Sequence, residues 1–300
     1  MKKLSVIILS HNTKTLLNDC LTSLRKVGKE VDFEIIVSDN ASTDGSVEMI
    51  EKDYPEVILI RNKSNLGFAK GNNKARKYCK SKYVLLLNSD TIVYKNTLKE
   101  TINYLDINKD VGAATCKIIL PNNRLDKDAR RSFITPWIGL THLFLRLDKI
   151  FPESKIFAKY WYGYISPDKT HEVDAIQGAF FLTRKKILDK LGWLDEDYFL
   201  DGEDLDLCFK IKRDGWKIYY YPKVSIMHMK GATKGKVESE TKSKVSLKNR
   251  LRFRLSGVNS MEIFYKKRLW ERYAIILNLL VLLGIWILKI LRTIRTIVLG

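Results

Sequence analysis

The sequence predicts an α/β protein, a mostly parallel sheet with helices packed on both faces. Three observations carry that expectation. Short runs at residues 4–9, 34–39, 57–61 and 83–88 are almost continuously apolar, as strands buried on both faces are. Stretches of helical length with polar starts suited to capping, residues 13–27, 44–52 and 67–80, separate them. The chain has 300 residues, 45% of them hydrophobic, enough for one sizeable core and an appendage.

Taken in order, the first run stops at Ser10-His11-Asn12 after only a few apolar residues and shows no small-residue cleavage site. It therefore reads as a buried strand and not as a secretion signal. Ligands of parallel sheets bind beyond the carboxyl ends of the strands, which directs attention to Ser10-His11-Asn12, Asp39-Asn40 and Asn88-Ser89-Asp90. Residues 121–169, with a Pro-Asn-Asn turn and a basic-aromatic stretch (Arg130, Arg131, Phe133, Trp137, Trp161), are expected to form an insertion, part lid and part acceptor surface. Regular structure resumes at 173–183, with helices at 184–191 and 202–214 and short strands at 217–221 and 224–228. No internal repeat or low-complexity segment occurs. The cysteines Cys20, Cys79, Cys116 and Cys208 are scattered without a CxxC pair, which suits a reducing compartment.

A formal charge of +19 calls for an anionic partner: nucleic acid, an anionic membrane or phosphorylated substrates. The excess concentrates between Lys230 and Arg272, a stretch equally readable as a solvated tether. An apolar tail follows. Residues 273–288 are apolar except for Asn278, and Lys289, Arg292 and Arg295 come after. Sixteen helical residues span about 24 Å against a hydrocarbon core of roughly 30 Å, so the tail is a marginal span or a helix lying in the membrane surface. Flanking basic residues favour an anionic membrane face over a buried soluble helix. The expected organisation is a catalytic domain over 1–235, a basic linker or helical segment over 236–272 and a membrane-associated tail over 273–300.

Six segments could carry chemistry. In Asp39-Asn40-Ala41-Ser42-Thr43-Asp44-Gly45-Ser46, Asp39 can accept hydrogen bonds from a pyrimidine imide or ribose hydroxyls, whereas Asp44 equally suits a helix cap. The turn containing Gly67, Lys70 and Gly71 allows close backbone approach at a helix start that favours anions. Asn88-Ser89-Asp90-Thr91 ends a buried strand on a carboxylate, where a hard cation can meet diphosphate oxygens. Gly178-Ala179 lets a sugar approach, or belongs to a plain core strand. Asp201, Glu203, Asp204 and Asp206 crowd a helix start, where mutual repulsion and burial can raise a pKa as a general base requires. Finally, His228 is a candidate metal ligand, and Lys230 and Lys234 are candidates to neutralise a leaving diphosphate.

In their order along residues 4–233 these segments resemble the family-2 glycosyltransferases, in particular the branch of rhamnosyltransferases and related polysaccharide-assembly enzymes. The resemblance implies a GT-A fold, Rossmann-like, and a donor-nucleotide site comprising Ser10, Asn12, Asp39, Asp44, Gly67, Lys70 and Asn88. It implies that Asp90, in an Asn-Ser-Asp form of the DxD motif, binds Mn2+ or Mg2+ with His228. Glu203 and Asp204 match the Glu-Asp element, with Asp204 the catalytic base; Gly178, Ala179, Lys230 and Lys234 fall on the acceptor and diphosphate side. Ser89 stands where proline is common, and no Gln-x-x-Arg-Trp sequence occurs, which argues against processive synthesis. The implied reaction is an inverting transfer from a dTDP- or UDP-sugar, rhamnose or a hexose, to a saccharide or polyprenyl-linked acceptor at the cytoplasmic face of a membrane. The competing readings are a non-catalytic nucleotide-sugar or membrane-binding scaffold, a nucleotidyltransferase and a nucleic-acid-binding protein. The last is disfavoured because the positive charge lies beside the tail while the expected cleft is acidic.

Overall fold

The computed structural model describes residues 2–230 and 247–299. Its strands form one nine-stranded sheet in the order β3-β2-β1-β4-β8-β6-β9-β5, with β7 also paired to β9. The strands are β1 (Leu4–Ser10), β2 (Phe33–Asp39), β3 (Ile58–Arg61), β4 (Tyr83–Asn88), β5 (Thr91–Val93), β6 (Val111–Ile119), β7 (His171–Glu172), β8 (Phe180–Arg184) and β9 (Lys217–His228). The first four are mutually parallel. Between them run α1 (Lys14–Lys26), α2 (Ser46–Asp53) and α3 (Phe68–Asn73), and α4 (Thr97–Ile107) precedes β6. Leu17, Cys20, Leu21 and Leu24 of α1 recur at helical spacing and are buried, so α1 lays one apolar stripe on the sheet. All four cysteines are buried and free.

Beyond β4 the sheet is mixed. β8 runs antiparallel to both β4 and β6, β6 and β9 are parallel, and β5 and β7 pair antiparallel to β9. The strand expected near 173–183 therefore begins at Phe180 and runs against β4, with Phe180 opposite Leu87. This reversal brings Gly178-Ala179 to the edge where β4 ends, and Asn88 N–H donates to the Ala179 carbonyl at 3.4 Å. The two short strands expected at 217–221 and 224–228 are one continuous strand. Its register with β6 slips between Cys116 and Lys117, opposite the Pro222-Lys223 stretch, where a residue lacking an N–H is tolerated at a bulge. The helix expected over 67–80 is shorter, α3 followed by a tighter 3-10 turn at Lys74–Tyr78.

The insertion carries two short helical pieces, α5 (Pro136–Ile138), which continues into a π-helical turn at Gly139–Phe144, and α6 (Leu147–Ile150). After β8 come α7 (Lys185–Leu191) and α8 (Glu203–Arg213). The C-terminal part is a hairpin of α9 (Leu247–Phe264) and α10 (Ile275–Leu299). Its members run antiparallel: the Tyr265 hydroxyl donates to Asn278 Oδ1 at 2.7 Å, Lys289 pairs with Glu262, and Arg292 reaches the Arg254 carbonyl.

The expectation of a solvated tether before the tail does not describe residues 247–272. α9 grips the loop that leads into α8. Ser256 Oγ donates to Asp201 Oδ2 at 2.7 Å, Ser260 Oγ donates to the Asp201 carbonyl at 2.5 Å, and Arg252 lies 3.6 Å from the centre of the Phe199 ring. Arg268 grips the fully buried Asp206 through two hydrogen bonds of 2.6 and 3.0 Å. Gly202, at φ +93°, lies so close to Ser260 that a Cβ added there would fall 2.7 Å from the Ser260 Cβ. Of the basic residues expected in that linker, Lys236, Lys242 and Lys244 lie outside the described residues, as does the diphosphate candidate Lys234; the others, Lys248 to Arg272, lie within them.

Candidate active site

The exits of β1, β2 and β4 sit side by side because these strands are parallel neighbours. Asp39, at the end of β2, is almost fully buried and accepts from the Ser42 N–H at 2.8 Å and the Ser42 hydroxyl at 2.5 Å. Asn12 locks the facing loop: its N–H donates to Ser42 Oγ, and its Oδ1 accepts from the Thr43 N–H at 2.7 Å. Asp44 joins two helix starts. It accepts from the Lys14 N–H at 2.8 Å and from both the N–H and the hydroxyl of Ser46. Burial pushes its carboxyl up, but these hydrogen bonds outweigh it and hold the group below the ordinary value. Ser10 is buried, 3.3 Å from the Thr13 hydroxyl, and Thr13 in turn donates to Ser89.

The turn with Gly67 and Lys70 packs beneath the loop that precedes α8. Phe68 N–H donates to the Phe199 carbonyl at 2.7 Å, and a Cβ on Gly67 (φ +81°) would come 2.4 Å from that oxygen. Gly67 is thus needed for close approach of protein to protein, while Lys70 is exposed.

Asp90 and His228 meet through strand register. Thr91 of β5 lies opposite His228 at the end of β9, so the residue before Thr91 falls beside the imidazole. His228 Nε2 is 3.2 Å from Asp90 Oδ1, and Nδ1 is 3.1 Å from Asp126 Oδ2. Asp126 also accepts from Gln177 Nε2 at 3.0 Å and from Lys230 Nζ at 2.7 Å. Burial works against charge on His228, but its contacts with Asp126 and Asp90 win and push it up to about 9. For Asp126 burial opposes ionisation, and the hydrogen bond from His228 together with Lys230 and Gln177 outweighs it, so its carboxyl lies well below the usual range.

Asn88 Oδ1 is a buried acceptor with no hydrogen-bond partner, and Asp90 Oδ1, also buried, has only the His228 imidazole beside it. Among the described residues no cluster of three or more His, Cys, Asp or Glu side chains forms a ready-made metal cage. An ion that keeps most of its ligands as water and phosphate oxygens needs only one or two from the protein, so Asp90, with His228 once an ion displaces its Nε2 proton, fits such an ion.

Asp204, the second residue of α8, is tied to the same sheet edge through Gly178. Its Oδ2 accepts from Arg131 Nη2 at 2.8 Å and from the Gly178 N–H at 3.3 Å. A Cβ added at Gly178 would sit 3.0 Å from the Phe68 ring, so that ring would have to shift to admit it. A continuous path thus leads from Asp204 through Gly178 and Gln177 to Asp126, His228 and Asp90. Glu203 is buried with Oε2 unpartnered, and burial followed by the charges of Asp204 and Asp201 raises its carboxyl well above the ordinary value. Asp201 and Asp206 instead hold the C-terminal hairpin, through Ser256 of α9 and through Arg268. Sequence reasoning did not single out Asp126, Gln177 or the role of Arg131. Asp126 and Arg131 lie in an insertion with no motif around them, and tertiary contacts such as the pairing of Arg131 with Ala175 place that segment against the site.

A parallel half-sheet with acidic strand exits and a mixed second half defines a GT-A fold, and solved structures agree. A mannosyltransferase from Pyrobaculum calidifontis, in complex with GDP-Man and Mn2+, superposes with a TM-score of 0.55 at 18% identity, covering 86% of this chain and 63% of that one. TarS of S. aureus in complex with UDP gives 0.53 at 19% identity, covering 75% and 60%. The glycosyl transferase family 2 model matches residues 5–192, and the chain belongs to that family. Among its relatives are an N-acetylglucosaminyl-diphospho-decaprenol L-rhamnosyltransferase of Mycobacterium tuberculosis (23% identical; 78% of each chain) and rhamnosyltransferase WbbL of Escherichia coli K12 (25%; 74% of this chain, 82% of that). An uncharacterized glycosyltransferase of Bacillus subtilis, YfnE, is 36% identical over 33% of this chain, and the match spans only 26% of YfnE.

Proposed function

We propose that the chain is an inverting glycosyltransferase that moves a sugar from a dTDP- or UDP-sugar to a saccharide carried on a lipid diphosphate. The observation that carries this reading is the convergence of Asp39, Asp90 with His228, and Asp204 with Gly178 on the carboxyl edge of one sheet. The rhamnosyltransferase relatives support rhamnose as the sugar and a lipid-linked acceptor.

Asp39 and the Asn12–Ser42 loop would hold the nucleoside. Asp90 and His228 would hold a Mn2+ or Mg2+ ion, which when bound supplies charge neutralisation to the departing nucleoside diphosphate. Asp204 takes the proton of the acceptor hydroxyl as its oxygen forms a bond to the anomeric carbon. The bond from that carbon to the diphosphate oxygen breaks, and its electron pair leaves with the nucleotide. Arg131 and the Gly178 N–H fix the Asp204 carboxylate from one side and act as positioning groups. Lys230, pinned between Asp126 and Asp128, helps to orient Asp126 behind His228.

α10 would keep the enzyme at a membrane. Residues Ile275–Val298 are long and apolar enough to cross one, and most of that surface is exposed. Its hydrogen bonds and ion pair to α9, whose own surface is strongly basic, favour a helix lying along the anionic surface.

Thermal stabilisation by dTDP, UDP and GDP, each with and without Mn2+, tests the donor site. Stabilisation by dTDP or UDP that needs the metal and vanishes in Asp90→Ala supports the reading. No stabilisation by any nucleotide, or an Asp90→Ala response equal to the parent's, would refute it.

A further inference from the structure

Behind the catalytic helix start lies a second cavity, of about 270 Å³, walled by Ile134–Phe144 residues of the insertion, by α9 and by α10. Leu140, Phe144, Leu205, Phe264, Val281 and Ile285 line it, and no lining residue is charged. Leu205 follows Asp204 directly, so the cavity and the catalytic cleft share the first turn of α8 as a common wall. The insertion makes the same connection on its side. Arg131 bonds Asp204, Phe133 meets Phe209 edge-on and stacks on Phe264, and Ile134 begins the cavity wall.

The outer end of the cavity is open and apolar. Lining residues Leu140, Phe144, Leu277 and Leu280 are each more than one third exposed. They continue on one side into the exposed face of α10 (Leu283, Trp286, Ile287) and on the other into Trp137 and Leu145. An apolar surface of this extent, touching a cavity beside the general base, has no use in a purely aqueous transfer.

We infer that this cavity holds the proximal part of the isoprenoid chain of a lipid-diphosphate acceptor, delivering its sugar hydroxyl to Asp204. The inference rests on the reading of Asp204 as the base of a glycosyltransferase. The volume equals roughly nine water-sized atoms, which is about two isoprene units. The rest of the chain leaves across Leu280 and Leu283 into the membrane on which α10 lies. A branched hydrocarbon fits because the lining is entirely aliphatic and aromatic apart from Thr135 and the Tyr265 hydroxyl, and that hydroxyl is already engaged with Asn278. An acyl chain of a bulk lipid would fill the space without placing any hydroxyl near Asp204. The shared first turn of α8, which carries Asp204, favours the acceptor over the bilayer.

The test uses the full chain in micelles with a benzophenone-bearing farnesyl diphosphate analogue, photo-crosslinked and mapped by peptide mass spectrometry. Labelling is expected within residues 134–144 and 277–288. Unlabelled farnesyl diphosphate should suppress it, and inorganic diphosphate or phosphatidylglycerol vesicles should not. Val281→Trp, which fills the cavity, and Leu140→Gln, at its exposed mouth, are each expected to cut labelling about tenfold by removing apolar contact. Both should keep the nucleotide-dependent thermal stabilisation of the parent, which shows that they fold. Labelling elsewhere, equal suppression by phosphatidylglycerol, or parent-like labelling of both variants would overturn the inference. Failure of the transferase reading shows separately, as a parent protein that no nucleotide stabilises.

Discussion

Asp204 and Glu203 are adjacent in sequence but not in circumstance. Asp204 is held by Arg131 and a backbone N–H, whereas Glu203 is buried with an unpartnered oxygen and a raised pKa. Asp204→Asn is expected to lower kcat about 10³-fold while nucleotide stabilisation persists, as loss of a general base requires. For Glu203 the folded state keeps the proton to higher pH than the unfolded chain, so stability falls as pH rises above the unfolded value. Glu203→Gln removes that loss, and its melting temperature relative to the parent should climb between pH 4 and pH 8 by calorimetry, values bracketing the ordinary carboxyl pKa of about 4.3. A flat difference would show that Glu203 is not held protonated. Asp126 acts through His228, so Asp126→Asn should weaken Mn2+-dependent nucleotide binding about 10- to 100-fold, read by metal titration. A merely structural Asp126 would leave that metal titration unmoved.

At the scale of elements, the C-terminal hairpin is tied to the candidate site through α8 and the loop that leads into it. α9 and the turn after it hold Asp201, Phe199 and Asp206, and so set where α8 begins. Arg268→Ala leaves Asp206 buried without its main counter-charge and should cost about 3–5 kcal/mol in denaturant unfolding. Combining it with Asp206→Leu should recover much of that loss, because the destabilisation comes from the orphaned charge more than from the missing pair. If the double variant is as unstable as Arg268→Ala, the hairpin docks by other contacts.

For the molecule as a whole, the proposed function puts a membrane-seeking face, on α10, and a catalytic edge on either side of the first turn of α8. Trp286, exposed on α10, reports the depth of that face. If α10 lies in the interface it sits about 5–10 Å deep, so lipids brominated near the headgroup should quench Trp286 more than lipids brominated at the chain end. Binding to anionic vesicles should fall with salt, in keeping with the basic residues that flank the helix. Strongest quenching by chain-end bromine would instead mark a spanning helix.

Much of this was legible in the residues alone. Continuous apolar runs separated by capped amphipathic stretches determined the parallel half of the sheet, because a strand covered on both faces has no polar alternation to show. The acids at the strand exits pointed to the candidate site for the same reason, since a carboxylate straight after a buried strand has few places to go but the sheet's edge. What the sequence did not determine was everything set by pairing across long separations. The reversal of β8, which carries Gly178 to Asn88, follows from which strands it lies between. The meeting of Asp90 with His228 depends on the register of β5 against β9. The clamp of Arg268 on Asp206 and the cavity behind Leu205 depend on how a helical hairpin folds back over the domain. Local patterns specify elements because side-chain periodicity is a property of neighbours in the chain. Register, reversal and docking are decided by the burial available once those elements are together, and only the tertiary structure contains that information.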